Sequence, residues 1–145
     1  IPRLKGCVDE LRKAKNPVNL RPETMGKSAM LGSMEDTLEM SKAIKGVLPC
    51  IDFAHLHARP GDGTMNTVKE WTQILEAYQK ALGKEALKTL HIYTLTFDNE
   101  EWVNELFKAL KDFGCGGRIL CESPIMETDS LNMKKAWMKI SGEKE

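Results

Sequence analysis

The sequence has 145 residues, with 21 basic and 21 acidic side chains and no net charge. That length is typical of one domain with a sizeable core, and neutrality excludes an overall basic field for nucleic acid, so such binding would need a local patch. No run approaches the about 18 consecutive apolar residues of a membrane span, and no signal peptide is recognisable, so we expect a soluble, cytoplasmic protein without a membrane partner.

Hydrophobic periodicity predicts an opening helix followed by four strand-helix units. Leu4, Val8 and Leu11 recur at helical spacing before Asn16-Pro17 ends the helix. The predicted strands are short apolar runs at residues 18–23, 47–53, 90 to about 95, and 119–122. Four helices are predicted between and after the strands: one that starts from a capping box at Ser33 and Asp36, one over 68–82, one capped by Asp98, and one over 131–138. Residues 25–28 are predicted as a polar loop and residues 56–66 as a longer loop.

Residues that bind divalent metals stand at the ends of these strands. Glu23, Asp52 with His55, His91 and Glu122 each close or follow an apolar run. Strand-helix alternation implies parallel strands, and ligands bind at the carboxyl ends of such strands. Two Glu, one Asp and one His offer a metal four lone pairs, and the metal offsets the repulsion between the carboxylates.

Four motifs carry a family resemblance: Leu20-Arg21-Pro22-Glu23-Thr24, Cys50-Ile51-Asp52-Phe53-Ala54-His55, Leu90-His91-Ile92, and Leu120-Cys121-Glu122-Ser123-Pro124. With them the chain resembles the endonuclease IV family of AP endonucleases, which are xylose isomerase-like TIM barrels, and in particular its archaeal-type members. The likeness covers only the C-terminal half of the family. It implies that residues 1–145 form a single unit, an α/β parallel (βα)4 half of a TIM barrel with strands five to eight and their covering helices.

The resemblance also implies a function. The family is made up of DNA-repair hydrolases that cleave DNA on the 5′ side of abasic sites with a trinuclear zinc cluster. By its motif, Glu23 would bridge two metals, Asp52, His91 and Glu122 would complete the second metal's shell, and His55 would belong to the third. Glu23 and Glu122 are the catalytic candidates.

The sequence departs from the family, and these departures leave alternatives open. The two histidines of the family's N-terminal half are absent. Its Asp-x-His motif is also absent, since Tyr93 leads through Thr94-Leu95-Thr96-Phe97 to Asp98 and the next predicted helix. The surviving set resembles the mononuclear site of sugar isomerases and epimerases, with Mn or Co as alternatives to Zn. A catalytically inactive half-barrel is the third hypothesis. His57 and Arg59 are candidates for contacting phosphate, with a solvated loop pair as the alternative interpretation.

Half a barrel exposes two sheet edges and needs cover. The cover would be a missing N-terminal half or a second copy in a homo-oligomer, and abasic-site DNA is the expected partner of the completed barrel. Individual residues also have simpler explanations: Arg21 could pair with Glu23 on one strand face. The tryptophans Trp71, Trp102 and Trp137 are predicted to pack in the core. The cysteines are predicted to be reduced core residues; they are Cys7, Cys50, Cys115 and Cys121.

Overall fold

The chain is an α/β protein with a small parallel sheet, and the computed structural model describes residues 1–94 and 99–143. A 3-10 helix, Lys84–Thr89, precedes the second strand. No helix within the described ranges is long and apolar enough to cross a membrane. The elements in chain order are α1 (Pro2–Lys13), α2 (Met34–Ala43), β1 (Cys50–Asp52), α3 (Phe53–Ala58), α4 (Val68–Leu82), β2 (Leu90–Thr94), α5 (Glu100–Asp112), β3 (Gly117–Cys121) and α6 (Met126–Ser141).

The sheet places the strands in sequence order, β1-β2-β3, and every pairing is parallel. Residues 20–24 run beside the free edge of β1 and join it through two isolated parallel bridges, Leu20 with Val47 and Glu23 with Cys50. The predicted first strand therefore exists as bridged, extended chain rather than as a regular strand. One physical reason is Pro22, which has no N–H to donate to a ladder.

The predicted strand 47–53 is shorter than expected because a helix begins inside it. The Asp52 side chain accepts a hydrogen bond from the His55 N–H and caps α3, so residues 53–58 are helical. This finding corrects both the end of the predicted strand and the start of the predicted loop 56–66. It also turns His55 from a strand-end residue into a residue of the first helical turn.

The other boundaries agree with the sequence in part. The capping box of Ser33 with Asp36 and the helix over 68–82 are confirmed. The last helix begins earlier than predicted, at Met126. Asn99 caps α5 by accepting from the Trp102 N–H, whereas the predicted cap Asp98 and the predicted strand end Leu95 lie outside the described residues.

The helix-facing side of the sheet forms the core. Ile51, Ile92 and Ile119 are in register across the strands, and the first two are almost fully buried. Trp71 is 0% exposed and meets Phe53 and Trp102 edge-on at centroid distances of 5.2 and 5.3 Å. The prediction that the tryptophans pack in the core is therefore confirmed for Trp71.

Alternation along the strands places polar side chains on the other side of the sheet. All four cysteines are free thiols, but Cys7 is exposed, so the prediction of a core residue is wrong there. It lies beside the buried Val8 on α1 but points away from the core. At the sheet edges Leu120 is 38% exposed and Val18 is 49% exposed, so apolar side chains meet solvent where the pairing stops.

We predict that Gly117→Ala will damage the pairing of β2 with β3. Gly117 has a φ of +129°, and an added Cβ would lie 2.1 Å from the Leu90 carbonyl oxygen. The combined backbone strain and clash should lower the free energy of unfolding by about 2–4 kcal/mol, measured by urea denaturation. Gly61→Ala is the matched control: Gly61 also has a positive φ but no atom within 4 Å of its added Cβ, so a loss of only about 1 kcal/mol is expected. Equal losses in both variants would contradict the register described above.

Candidate metal centre

Acidic side chains converge at the carboxyl ends of the parallel strands. Glu23 ends the bridged segment, and Asp52 ends β1. Glu122 directly follows β3, with its N–H bonded to the Thr94 carbonyl at 3.1 Å. Because all these segments run in the same direction, their ends lie at the same edge of the sheet.

His55 joins this edge because α3 starts directly after β1. The Asp52 Oδ1 accepts the His55 N–H at 2.8 Å, which sets the imidazole above its own capping residue. The His55 Nδ1 lies 2.9 Å from the Thr24 carbonyl oxygen, 3.2 Å from the Glu23 Oε1 and 3.3 Å from the Asp52 Oδ2. One ring nitrogen therefore faces three oxygens of the site.

Glu23, Asp52 and His55 form a group suited to a divalent metal. One ligand atom from each lies within 4.8 Å of the others. Asp52 is 1% exposed, whereas the Glu23 and His55 side chains are 37% and 32% exposed, so the group opens to solvent on one side. Three protein ligands with an accessible fourth position are the pattern of catalytic rather than structural zinc sites.

Thr24 holds the two acidic segments together and was not identified as a site residue from the sequence. It is 0% exposed; its Oγ1 accepts the Asp52 N–H at 2.8 Å and donates to the Asp52 carbonyl at 3.2 Å. Its own carbonyl faces His55. The signal that could have identified it is a hydroxyl directly after Glu23, at a strand position whose side chain turns away from that of the glutamate.

The electrostatics of the group favour a cation. Burial raises the pKa of Glu23, and the neighbouring charges of Asp52 and Glu122 raise it further, against an opposing effect of His55. Burial also raises the pKa of Asp52, although hydrogen bonds from the backbone of His55 and Ala54 and the charge of His55 act in the opposite direction. A bound divalent ion would offset the repulsion that makes these carboxylates costly to ionise.

The other two predicted ligands, Glu122 and His91, lie at different positions relative to this group. Glu122 is exposed and close enough for its charge to act on Glu23 and Asp52, but it lies outside the group of mutually close ligand atoms. His91 is paired with Cys50 and Arg118, below the acidic edge. Burial and then the charges of Arg21 and Arg118 lower its pKa. The structure therefore brings Glu23, Asp52 and His55 together, sets Glu122 beside them, and places His91 among arginines.

Two arginines have roles that the sequence did not reveal. Arg21 does not pair with Glu23 among the described residues; it donates to the carbonyls of Pro49 and Thr89 at 3.2 and 2.8 Å. Arg59 donates to four backbone carbonyls of the loop after Glu23. His57 is partly exposed, and its Nδ1 lies 2.6 Å from the Thr64 carbonyl oxygen.

Cys50 lies next to the site without adding a ligand to it. It is 2% exposed and is the bridge partner of Glu23. Burial and the charge of Glu23 raise the pKa of its thiol to about 12. Because the thiolate is the metal ligand and nucleophile, a protonated buried thiol contributes neither function.

Comparisons with known proteins identify a relative but no activity. The sequence is 35% identical over 147 residues to an uncharacterized protein of Methanocaldococcus jannaschii, in an alignment that includes 92% of this chain and 53% of that protein. The chain thus spans about half the length of this curated relative. No family model and no solved structure matches the sequence. The chemistry of the site must therefore be argued from its side chains.

We predict that the carboxyl groups of Asp52 and Glu23 add stability to the metal-free protein as the pH falls toward the ordinary carboxyl pKa, whereas His91, whose pKa is lowered, acts in the opposite direction below its own ordinary pKa. The pKa of Asp52 and of Glu23 is raised in the folded protein, so the folded state binds protons that the unfolded chain releases. The gain begins as the pH falls through these raised values and is complete below the ordinary carboxyl pKa. Urea denaturation in EDTA at several pH values measures it. His91 and Glu70, whose pKa hydrogen bonds lower to about 2, are common to the wild-type protein and Asp52→Asn, so the difference between these two proteins isolates the contribution of the buried carboxyl group.

Asp52→Asn separates the two roles of this side chain. An asparagine oxygen can still accept the His55 N–H and cap α3, but it removes the buried charge. The variant should flatten the pH dependence above, raise the stability of the metal-free protein at neutral pH, and weaken metal binding by at least about tenfold. Glu76→Gln on the exposed face of α4 is the control that should change none of these properties. Unchanged metal affinity in Asp52→Asn would exclude Asp52 as a ligand.

Proposed function

We propose that this chain carries half of a metal-dependent DNA-repair endonuclease of the endonuclease IV type, which hydrolyses the phosphodiester bond 5′ to abasic sites. The observation that carries the proposal is the group of Glu23, Asp52 and His55 at the carboxyl ends of parallel strands. Two motifs of the resemblance meet there, one with Glu23 and the other with both Asp52 and His55. Glu122, from a fourth part of the same resemblance, stands beside them.

The fold supports half of a TIM barrel. The segment 20–24, β1, β2 and β3 follow one another in space as in sequence, all in parallel. A complete barrel typically needs about 250 residues, whereas this chain has 145 and spans about half of its archaeal relative. In this proposal the polar face of the sheet is the inner wall of the barrel. The second half would come from a separate N-terminal part or from a second copy of the chain.

The residues of this chain have separate tasks in the proposed reaction. Glu23, Asp52 and His55 would hold zinc, with manganese or cobalt as alternatives. A bound ion of this kind polarises a phosphoryl oxygen and lowers the pKa of water to near neutrality. Glu122 is exposed beside the group, where its carboxylate can accept the proton of an attacking water. The pKa of Glu23 is raised, so this carboxyl group holds a proton more readily and can take part in proton transfer.

A second candidate, a sugar isomerase or epimerase with one metal, is favoured by a specific observation. The described residues contain one group of mutually close ligand atoms, rather than the several that a trinuclear cluster needs. In such an enzyme one metal binds adjacent sugar oxygens while Glu23 or Glu122 moves a proton. An inactive half-barrel would bind no metal at this position.

The test measures metal content and DNA cleavage on the same preparation. Elemental mass spectrometry of the purified chain should find zinc, manganese or cobalt, and a duplex with a single abasic-site analogue should be nicked in a reaction that EDTA abolishes. Glu23→Gln should reduce the nicking rate by about 100-fold or more. Glu39→Gln, an exposed position of α2, serves as the matched control.

The outcomes separate the candidates. Bound metal with proton exchange on a sugar and no nicking would favour the isomerase. Absence of metal from the wild-type protein would refute both enzyme proposals and leave the inactive half-barrel. Nicking that requires an added second half would retain the endonuclease and show that this chain supplies only part of the site.

A further inference from the structure

The loop that follows Glu23 packs directly against the candidate metal centre. We call residues 25–32 the clamped loop. An added Cβ on Gly26 would lie 3.3 Å from the His55 Cδ2 and 3.6 Å from the Ala58 Cβ, so the loop backbone touches the imidazole and the end of α3. Whatever binds at the metal centre must pass close to this loop.

The guanidinium group of Arg59 holds the clamped loop in place. Its Nη1 donates to the carbonyls of Met25 and Lys27, both at 2.9 Å. Its Nη2 donates to the carbonyls of Met30 at 3.0 Å and Ser28 at 3.4 Å. The four N–H groups of the two terminal nitrogens are therefore engaged by the protein itself. We therefore assign the Arg59 guanidinium a structural role in holding the loop, in place of the predicted contact with phosphate.

The clamp decides where the amide groups of the loop point. The chain has no cis peptide bond, and in a trans peptide the N–H is antiparallel to the preceding carbonyl. Since four carbonyls point at Arg59, the N–H groups that follow them point away from it; these belong to Gly26, Ser28, Ala29 and Leu31. Within the described part of the chain, no protein acceptor meets any of these four N–H groups.

The side chains around these amides favour an anion. Lys27 is exposed and forms no ion pair with another described residue. Asp36, which follows the loop in sequence, is already engaged, because its Oδ2 accepts the N–H groups of Gly32 and Ser33, both at 2.9 Å. The Lys27 ammonium group is therefore available to an anion, without an ion pair to Asp36.

We infer that the clamped loop is a phosphate-binding element, in which Lys27 and the outward amides of Gly26, Ser28 and Ala29 hold phosphate oxygens of the substrate next to the metal centre. This inference rests on the proposed function and extends it to substrate positioning. Backbone N–H groups and lysines are ordinary phosphate donors in protein–DNA contacts. Donors at successive, outward-facing peptide units suit the repeated phosphates of a DNA strand better than one isolated anion.

Lys27→Ala tests the inference without requiring catalysis. Binding of a short undamaged duplex is measured by fluorescence anisotropy in EDTA over a series of salt concentrations. Loss of one phosphate contact should weaken binding about three- to tenfold at low salt and reduce the slope of log affinity against log salt by about 0.9. Lys42→Ala, also exposed but on α2, is the matched control and should leave both quantities unchanged.

A second arm distinguishes a DNA phosphate from a sugar phosphate. Ribose 5-phosphate is titrated calorimetrically into the wild-type protein and both variants. Dependence on Lys27 in either arm supports the loop as a phosphate site, and the arm in which it occurs identifies the source of the phosphate. Equal binding by Lys27→Ala and Lys42→Ala, or no binding of either ligand by the wild-type protein, would overturn the inference. Lys27-dependent DNA binding without nicking would retain the loop while refuting the proposed endonuclease.

Discussion

The structure of the site depends on one buried carboxylate at the junction of β1 and α3. Asp52 is 1% exposed, yet its two oxygens serve different purposes. One oxygen caps the helix through the His55 N–H, and the other lies 3.3 Å from the His55 ring nitrogen. Because one residue ends the strand and starts the helix, the imidazole is brought over the strand ends without an intervening flexible loop.

Thr24 extends this arrangement to the neighbouring segment. Its hydroxyl exchanges hydrogen bonds with the backbone of Asp52, and its carbonyl faces His55. Glu23, the bridge partner of Cys50, is thereby held close to Asp52, although the segment that carries it is joined to β1 by isolated bridges rather than a regular ladder. A buried hydroxyl between two strands replaces part of the pairing that Pro22 prevents.

The charges on the polar face are arranged in two levels. Acidic groups lie at the carboxyl ends of the strands, whereas Arg21, His91 and Arg118 lie nearer the beginnings of β2 and β3. The upper level is suited to a cation, and the clamped loop beside it offers donors to an anion. The candidate metal centre and the clamped loop are adjacent in this arrangement. Among the described residues β3 forms the far edge of the sheet, and its Leu120 is 38% exposed.

The sequence by itself determined the alternation of parallel strands with helices over β1, β2 and β3, the capping box of α2, the extent of α4 and the acidic residues at the strand ends. These features follow from local periodicity and from short-range hydrogen bonding, which are legible in neighbouring residues. The grouping of Glu23 with Asp52 was also predictable, because parallel strands align their carboxyl ends. What the sequence could not determine was the geometry set by distant partners.

Only the tertiary structure decided that His55 belongs with Glu23 and Asp52, that His91 faces arginines, and that Arg59 holds a loop instead of offering itself to phosphate. Each outcome depends on contacts between residues far apart in the chain, such as the Arg59 guanidinium with the Met25 and Met30 carbonyls. The sequence shows that a side chain is charged, but it does not show whether the partner of that charge is solvent, a ligand or a backbone carbonyl. The fold selects among them, because burying a charge requires that every available donor or acceptor around it be used.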